Sequence, residues 1–555
     1  MSGHEKHTMN HMVVIETQKV KSYVFASPFL RETRGASAIL DKLNRVVTEK
    51  ILEDNKNHLK KDDYEIVYLG GGSGRVLFAD EKKAAWFAKE LEKHYAEKTA
   101  IARISSPVVT RKENESFSEW MRRGVIKSQQ NKTGRKIHLP IVAGRWMRPC
   151  TSCGTFPAEK MISEFGKHFL CKSCHLKREE INIFLYNNTK PGERPIPEPL
   201  KDRETLRKNY SDKFIFYTLS EKYADLKGED KNIFLPQTFE DIGDASVPKN
   251  YMGFIYADGN DMGATIKKIT RDLGKKNDEK AKAAYTSFSE IVDQATREAA
   301  VEAVLENVGM KVMSNQKGHF IPAEFIMAGG DDLMLAVPAH CALDVAMSFI
   351  KKFQENTRSL IKEKGIENNF PKNRKYMTTS AGVVISHTHY PASDLMEMAG
   401  ELMKMAKKKA AEKTGDDIEG TFDFMLLSES GSEPPKQRRE KEYESNTHLG
   451  KKTRLTERPY TVSEGEKLLE TIKYFKRERI PRSKLKALYP VLFQNFLQAQ
   501  FDGLRIKERL KIKKTDVLEK NNLMEELNVF PFRERDGEWS TPLTEIIELY
   551  DFITI

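Results

Sequence analysis

The chain repeats one pattern of apolar strands and helices, and this repeat is the feature that most restricts its fold. Each copy has an apolar strand, an amphipathic helix and two further strands joined by a glycine-rich turn. The predicted elements are a strand at 12–16, a helix at 35–52 and strands at 64–69 and 76–79, then a strand at 251–257, a helix at 287–306 and strands at 324–328 and 333–337. The two turns lie about 260 residues apart, so we interpret the repeat as two copies of one α+β module.

Four of the five cysteines form two Cys-x-x-Cys pairs, Cys150 with Cys153 and Cys171 with Cys174. Two such pairs supply the four thiolates of a tetrahedral zinc site, so they predict a zinc ribbon with a structural Zn²⁺. A redox pair or an iron–sulfur cluster is the alternative.

Charge and composition narrow the function only modestly. The chain has 555 residues, a net charge of +11 and no apolar run long enough to span a membrane. Its polar N-terminus lacks the apolar stretch of a secretory signal, and its cysteines are few, so we expect a cytoplasmic protein with no membrane partner. Basic segments at 111–136 and 507–514 are candidate contacts for RNA phosphates, although such segments are more often solvated.

The second glycine-rich turn carries two adjacent carboxylates, Asp331 and Asp332. Adjacent like charges repel, and a divalent cation removes that cost. Asp258 follows the apolar strand at 251–257, so three carboxylates meet at one sheet edge if these strands are neighbours. Oxygen ligands of this kind suit one or two Mg²⁺ or Mn²⁺ ions. The alternative is an ordinary turn, because Gly and Asp are common turn residues.

Several motifs resemble the polymerase-like large subunits of type III CRISPR complexes. In the second module these are Ala-Asp-Gly-Asn-Asp-Met-Gly at 257–263, Ala-Gly-Gly-Asp-Asp at 328–332 and Ser-Ala-Gly at 380–382. Segments 21–27 and 34–37 resemble the first palm of that family. The resemblance covers nearly the whole chain. It implies an α+β fold with two ferredoxin-like palm domains of the nucleotidyl cyclase type, an inserted zinc ribbon and a C-terminal helical domain.

The resemblance also implies domains, an activity and partners. ATP would be converted to cyclic oligoadenylates with Mg²⁺ or Mn²⁺ when an RNA-guided complex binds target RNA. The expected partners are the other subunits of that complex, its guide RNA and the target RNA. The expected domains are a non-catalytic first palm at 1–145, a zinc ribbon and connector at 146–248, a second palm or cyclase domain at 249–430, a charged linker at 431–460 and a helical domain at 461–555.

The resemblance assigns roles to individual residues. Asp258, Asp331 and Asp332 would be catalytic and would bind two metal ions, with the Gly259 carbonyl completing the metal shell. The implied nucleotide contacts are Gly259, Asn260, Gly329, Gly330 and Lys407, with Gly71 and Gly72 as candidates for a second nucleotide. For Lys407, a solvated lysine at a helix end is an equally good interpretation.

The chain departs from the family pattern in three places. Asn260 and Asp261 stand in the reverse of the usual order, and the first turn, at 70–75, lacks an acidic pair. The chain contains no His-Asp dipeptide, so we expect no HD nuclease domain and no associated DNase activity. Two other functions stay open: a scaffold or RNA-binding subunit without cyclase activity, and a standalone antiviral nucleotide cyclase.

Overall fold

A computed structural model describes most of the chain. The described residues are 8–55, 57–134, 142–163, 167–185, 198–228, 232–274, 277–312, 318–370, 375–412, 418–427, 433–444, 446–448, 450–509, 532–535 and 537–555. Within these ranges, no helix is both long enough and apolar enough to cross a membrane.

The first module is a five-stranded sheet covered by helices. Its elements are β1 (His11–Gln18), α1 (Val20–Val24), α2 (Leu30–Lys42), a π-helical turn (Leu43–Val47), α3 (Thr48–Asp54), β2 (Tyr64–Gly70), β3 (Ser73–Phe78), α4 (Glu81–Thr99), β4 (Arg103–Ser105), β5 (Val108–Thr110) and α5 (Phe117–Gly134). The strand order is β2-β3-β1-β4, and β5 also pairs with β1. The central strand β1 is therefore covered on both faces, as its apolar run predicts.

Helix α5 covers one face of β1 and contains most of the basic segment at 111–136. Its Trp120 is 1% exposed, clusters with Met12 and Val14, and donates from Nε1 to the Val109 carbonyl at 2.8 Å. Most of this segment is therefore a helix and not the expected loop, because Phe117, Trp120 and Met121 share one buried helical face. Residues 135–136 of this segment, and 510–514 of the second basic segment, lie outside the described residues.

The cysteine-containing region leads into helices that pack on the first module. Its elements are β6 (Lys160–Ser163), β7 (Lys167–Leu170), α6 (Lys172–Leu185), α7 (Arg203–Tyr210), α8 (Ile215–Lys227), β8 (Asn232–Phe234) and α9 (Phe239–Asp244). Helix α6 crosses α2 at Gly35, where an added Cβ would lie only 1.9 Å from the Lys177 carbonyl oxygen. The Lys177 ammonium in turn donates to the Tyr23 carbonyl at 2.6 Å. The cysteine-containing region and the first module thus share one interface.

The second module is built around a longer sheet. Its elements are β9 (Tyr251–Gly259), α10 (Met262–Gly274), α11 (Asp278–Asn307), β10 (Lys311–Val312), β11 (Gly318–Phe320), β12 (Glu324–Gly329), β13 (Asp332–Pro338), α12 (Ala342–Glu363), β14 (Thr379–His387), α13 (Ala392–Glu412) and β15 (Thr421–Leu426). The sheet has the order β12-β13-β9-β14-β15 and ends with a short strand at Tyr460–Thr461. As in the first module, the hairpin lies beside the strand that opens the module.

The two hairpins match in detail. Each has a register shift at the same distance from its turn, between Ile66 and Tyr68 in β2 and between Phe325 and Met327 in β12. Gly70 pairs with Ser73 across the first turn, as Gly329 pairs with Asp332 across the second. Such bulges are specific features of a fold, and their shared position supports the interpretation of the repeat as a duplication. Ser73 therefore occupies the position of Asp332.

The C-terminal part mixes helices and strands. Its elements are α14 (Pro435–Arg438), β16 (Asn446–His448), β17 (Lys451–Arg454), β18 (Tyr460–Thr461), α15 (Val462–Arg477), α16 (Arg482–Gln494), α17 (Phe496–Arg509), β19 (Arg533–Arg535), β20 (Glu538–Ser540) and α18 (Leu543–Leu549). Strand β17 pairs with β20, so the segment at 431–460 shares a sheet with the segment at 461–555, and β18 extends the sheet of the second module.

The segment at 431–460 therefore differs from the predicted linker, and the segment at 461–555 is not purely helical. The linker prediction rested on a high density of charge, but several of these charges are buried in ion pairs. Arg439 binds both carboxylate oxygens of Asp423, at 2.6 and 2.7 Å, and the buried Arg458 contacts Glu548 at 3.2 Å. Paired charges of this kind are compatible with packing that unpaired charges would prevent.

The crossing of α2 and α6 predicts a strong stability effect at Gly35. Substitution Gly35→Ala places a methyl group against a backbone carbonyl that cannot rotate away, so we expect the free energy of unfolding to fall by at least about 2 kcal/mol. Substitution Gly263→Ala in α10 is the control, because an added Cβ there meets no atom within 4 Å. Thermal unfolding of both variants measures the effect, and equal unfolding temperatures would contradict the tight crossing.

Candidate functional site

The pairing of β9 with β13 brings the three predicted carboxylates to one sheet edge. Leu333 pairs with Ala257 in an antiparallel register, so the residues that follow toward the turn, Asp332 and Asp258, lie beside each other. Gly330 has a φ of +60°, a conformation that glycine adopts without strain, and it starts the turn that leads to Asp331. The strands that carry Asp258 and Asp332 are therefore neighbours, as the prediction of a shared sheet edge required.

The carboxylates at this edge are electrostatically crowded. Burial, repulsion from Asp258 and the adjacent Asp332 raise the pKa of Asp331 to about 7. Burial and the charge of Asp258 raise the pKa of Asp332 to about 6, against the opposing effect of the Lys21 and Lys407 charges. The site therefore favours any cation that enters it.

Lys407 of α13 extends into this acidic site. Its Nζ lies 2.6 Å from Asp258 Oδ2 and donates to the Gly259 carbonyl at 2.7 Å. The interpretation of Lys407 as a solvated helix end is therefore wrong, although Lys408 beside it is exposed. Lys407 contacts the same two oxygen donors that the family resemblance assigns to a metal.

The first module also contributes a cation to the site, which the sequence analysis missed. Lys21 of α1 donates from Nζ to the Tyr256 hydroxyl at 2.6 Å, and Tyr256 donates to Asp332 Oδ1 at 3.3 Å. Burial lowers the pKa of Lys21, while the charges of Asp332 and Asp258 raise it. Lys21 lies in the quoted segment 21–27, but only the pairing of the two modules shows that it faces the acidic edge.

The donor set fits a divalent cation. Asp258, Asp331, Asp332 and the Gly259 carbonyl supply hard oxygen ligands of the kind that Mg²⁺ and Mn²⁺ bind. An added Cβ at Gly259 would lie 2.9 Å from Asp331 Cβ, so glycine is required for the acidic turn to approach this strand. Burial and mutual repulsion raise both carboxyl pKa values, and a bound cation would relieve this cost.

Asn260 does not face this site. Its Nδ2 donates to Thr378 at 3.1 Å, and its Oδ1 accepts from Ser380 at 2.8 Å, so both ends of the buried amide are used within the protein. The predicted nucleotide contact at Asn260 is therefore not supported by the geometry. Asp261, which follows it, is exposed with a φ of +55°.

The glycines of the first turn lie against the second turn. An added Cβ at Gly71 would lie 2.8 Å from the Gly330 nitrogen and 3.0 Å from the Gly329 carbonyl carbon. At Gly72 the nearest atoms belong to Thr17, at 3.7 Å. Close packing of two backbones on the Cβ side therefore explains the glycine at position 71, although Gly71 is otherwise exposed and Gly72 is half-buried.

The first module retains a single counterpart of the acidic site. Glu16 pairs with Ser73, so it occupies the position that Asp258 has in the second module. Its carboxylate accepts from Ser128 at 2.8 Å and lies 3.4 Å from Arg75. Because Arg75 balances the charge of Glu16 and position 73 is a serine, the turn of the first module has no acidic cluster.

The four cysteines predicted to bind zinc form one cluster. Their sulfur atoms all lie within 4.8 Å of one another, and those of Cys153 and Cys171 are 3.9 Å apart. Four thiolates at 2.3 Å from a tetrahedral zinc would be separated by about 3.8 Å. Backbone N–H groups of Ser152 and Cys174 donate to the sulfurs of Cys150 and Cys171. Four thiolates with these sulfur–sulfur distances thus fit a single Zn²⁺.

Part of the chain that contains these carboxylates is similar to known proteins. Residues 251–415 match the family described as Cas10/Cmr2, second palm domain. This part of the chain is therefore similar to a Cas10/Cmr2 palm domain. The CRISPR system Cmr subunit Cmr2 of Pyrococcus furiosus is 28% identical over 203 residues, which are 36% of this chain and 21% of that protein. The chain thus matches about a fifth of the length of this curated relative.

Solved structures share the fold over nearly the whole chain. The Csm1–Csm4 cassette in complex with cA3 has a TM-score of 0.53 at 11% identity, covering 100% of this chain and 72% of the other. The same cassette with one ATP has a TM-score of 0.51 at 12% identity, covering 99% and 70%. The Csm1–Csm4 subcomplex of a type III-A CRISPR–Csm interference complex has a TM-score of 0.51 at 13% identity, and the match also covers 99% of this chain and 70% of the other. The predicted α+β fold class and the resemblance to type III CRISPR large subunits are confirmed.

The raised carboxyl pKa values predict a pH-dependent stability effect. The pKa values of Asp331 and Asp332 in the folded chain lie above the unfolded value near 3.9. The folded chain therefore loses stability as the pH rises from the unfolded value near 3.9 to the folded values of about 6 and about 7. In metal-free buffer, the variant Asp331→Asn/Asp332→Asn should unfold at a higher temperature than the wild type at pH 8, by about 1 °C per kcal/mol relieved in a chain of this length. At pH 5 the difference should shrink.

Calorimetry at both pH values, with and without Mg²⁺, measures this effect. Mg²⁺ should raise the unfolding temperature of the wild type and leave that of the double variant unchanged. Asp261→Asn is the matched control, because this neighbouring carboxylate is exposed. A pH-independent difference, or an equal response of the control, would contradict the proposed crowding.

Proposed function

We propose that the acidic edge of the second module transfers nucleotidyl groups, converting ATP to cyclic oligoadenylates. The observation that carries the proposal is the convergence of Asp258, Asp331 and Asp332 beside the ammonium of Lys407. The match of residues 251–415 to a Cas10/Cmr2 palm domain supports it, as does the likeness in fold to Csm1–Csm4 cassettes solved in complex with ATP and with cA3.

The reaction needs a hydroxyl of one nucleotide to attack the α-phosphorus of another. A phosphodiester bond forms, the bond to pyrophosphate breaks, and the hydroxyl proton leaves to solvent. Bound Mg²⁺ or Mn²⁺ would lower the pKa of the hydroxyl and neutralise charge on pyrophosphate, and Asp258, Asp331, Asp332 and the Gly259 carbonyl would hold it. Lys407 and Lys21 supply positive charge for the triphosphate, and the Gly329–Gly330 backbone allows phosphate to approach closely.

The proposed setting is an RNA-guided complex of type III. The likeness to Cmr2 and to Csm1 supports a role as the large subunit beside other protein subunits. In this setting, binding of target RNA to the guide RNA activates the chain. A second nucleotide in the first module would bind at Gly71 and Gly72, of which Gly71 is exposed and Gly72 half-buried.

A scaffold subunit without cyclase activity is the second candidate function. The extensive packing between the modules and the C-terminal part is compatible with it. Crowded carboxylates argue against it, because a scaffold gains nothing from their repulsion. A standalone cyclase is the third candidate. It would form product without RNA, whereas the subunit of an RNA-guided complex would require target RNA.

The proposal predicts that catalysis depends on the acidic turn. The purified chain is incubated with ATP and Mg²⁺ or Mn²⁺, with and without its target-RNA-bound complex, and the products are separated by chromatography. The variant Asp331→Ala/Asp332→Ala should lower product formation by at least about 100-fold, because it removes the metal ligands. RNA binding should be unchanged.

Glu16→Gln is the matched control for this experiment. Glu16 holds the equivalent position in the first module, which we propose to be non-catalytic, so this variant should retain product formation. Unchanged ATP in every incubation of the wild type would favour the scaffold function. Product from the double variant would show that the reaction takes place elsewhere.

We further propose that the cysteine cluster binds one structural Zn²⁺. Elemental analysis should find about one zinc per chain, and Cys171→Ser/Cys174→Ser should lose it and unfold at a lower temperature because zinc binding contributes to folding. Cys341→Ser is the control, because this buried thiol lies outside the cluster and donates to the Pro338 carbonyl. Iron in place of zinc, or no metal at all, would contradict the assignment.

A further inference from the structure

A buried ion pair joins the first module to the helix behind the acidic turn. Arg45 of the π-helical turn (Leu43–Val47) donates from Nη2 to both carboxylate oxygens of Asp293, at 2.9 and 3.1 Å. Asp293 lies within α11 of the second module, and each side chain is only 3% exposed. Arg297, one helical turn further, lies 3.4 Å from the same carboxylate. A pair this deeply buried is costly to desolvate, so it needs good geometry and further hydrogen bonds.

The carboxylate of Asp293 also holds the acidic turn itself. Its Oδ1 accepts from the backbone N–H of Gly330 at 3.0 Å. Gly330 directly precedes Asp331, so this bond fixes the peptide from which the catalytic pair extends. A single carboxylate therefore connects Arg45 of the first module to the backbone of the turn.

The same π-helical turn holds the glycine turn of the first module. Arg45 Nη1 donates to the Leu69 carbonyl at 3.3 Å. The side-chain amide of Asn44 faces the N–H groups of Gly70 and Gly72, and we assign its oxygen to the atom that lies 3.1 and 3.3 Å from them, because only an oxygen accepts there. Both side chains are buried. π-helical turns occur frequently at functional sites, and here the turn directs two consecutive side chains to the junction of the hairpins.

We propose that Arg45 and Asp293 are positioning residues for nucleotidyl transfer: through the Gly330 N–H and the contact of Gly71 with Gly330, they set the place of Asp331 and Asp332. The first module, which lacks an acidic pair, thereby acts on the chemistry of the second. This inference rests on the proposed function. Neither residue is among the proposed metal or nucleotide contacts, and a displacement of about 1 Å at a reacting group is enough to reduce a rate by about 100-fold.

A second buried ion pair provides a matched control. Arg34 of α2 binds Glu324, also across the two modules, and both side chains are fully buried. Glu324 opens β12 and pairs with Ala336, at the end of the hairpin opposite the turn. The two pairs thus have the same chemistry and connect the same modules, but only Asp293 contacts the turn.

The test compares Asp293→Ala and Asp293→Asn with Glu324→Ala and Glu324→Gln in the full chain with its activating complex. We measure the kcat and KM for ATP, and the unfolding temperature of each variant. Asp293→Ala should lower kcat by at least about tenfold more than Glu324→Ala for a similar loss of unfolding temperature, with KM for ATP changed by less than about threefold. Asp293→Asn, which keeps an acceptor for Gly330, should recover part of kcat.

The conservative variants keep the test decisive if the alanine variants do not fold. Asp293→Asn and Arg45→Lys should then show a loss of kcat that Glu324→Gln and Arg34→Lys do not show at the same unfolding temperature. If kcat falls with the unfolding temperature in the same proportion for the Arg45–Asp293 and the Arg34–Glu324 variants, the positioning role is overturned. The proposed function would then remain intact. An inactive wild type would overturn both.

Discussion

The contact between two glycine turns is the constraint on which the rest of the site depends. Gly71 of the first module lies so close to Gly329 and Gly330 that no side chain fits between them. The duplicated hairpins therefore meet at their tips, and the buried pair of Arg45 and Asp293 fixes them there. This arrangement places Lys21 of the first module near the carboxylates of the second.

The acidic edge is costly for the folded chain, and the surrounding side chains offset that cost only in part. Lys407 pairs with Asp258, and Tyr256 donates to Asp332. Asp331 has the higher of the two raised pKa values. The carboxyls of this site ionise unfavourably, so they favour bound metal ions, and the lysines beside them favour phosphate. A nucleoside triphosphate bound with metal ions supplies both.

Sequence patterns predicted the strands, helices and turns of this fold better than they predicted the contacts between distant residues. The apolar strands, the glycine turns and the Cys-x-x-Cys pairs are local signals, so the two modules and the place of Asp258 followed from them. Asn260 and the segment at 431–460 were misjudged because their environment depends on distant partners, namely Ser380 of β14 and Asp423 of β15. Arg45 and Asp293 carry no local signal at all. Their meeting depends on how the duplicated modules pack.

The most direct test of the account follows the phosphorus atoms of ATP. Phosphorus NMR of the wild-type chain with ATP, Mg²⁺ and the target-RNA-bound complex should show pyrophosphate and phosphodiester signals growing together. One pyrophosphate should appear for each phosphodiester, because each bond formed at an α-phosphorus releases one pyrophosphate. A spectrum that keeps the signals of ATP, or that gains only inorganic phosphate and ADP, would contradict nucleotidyl transfer at the acidic edge.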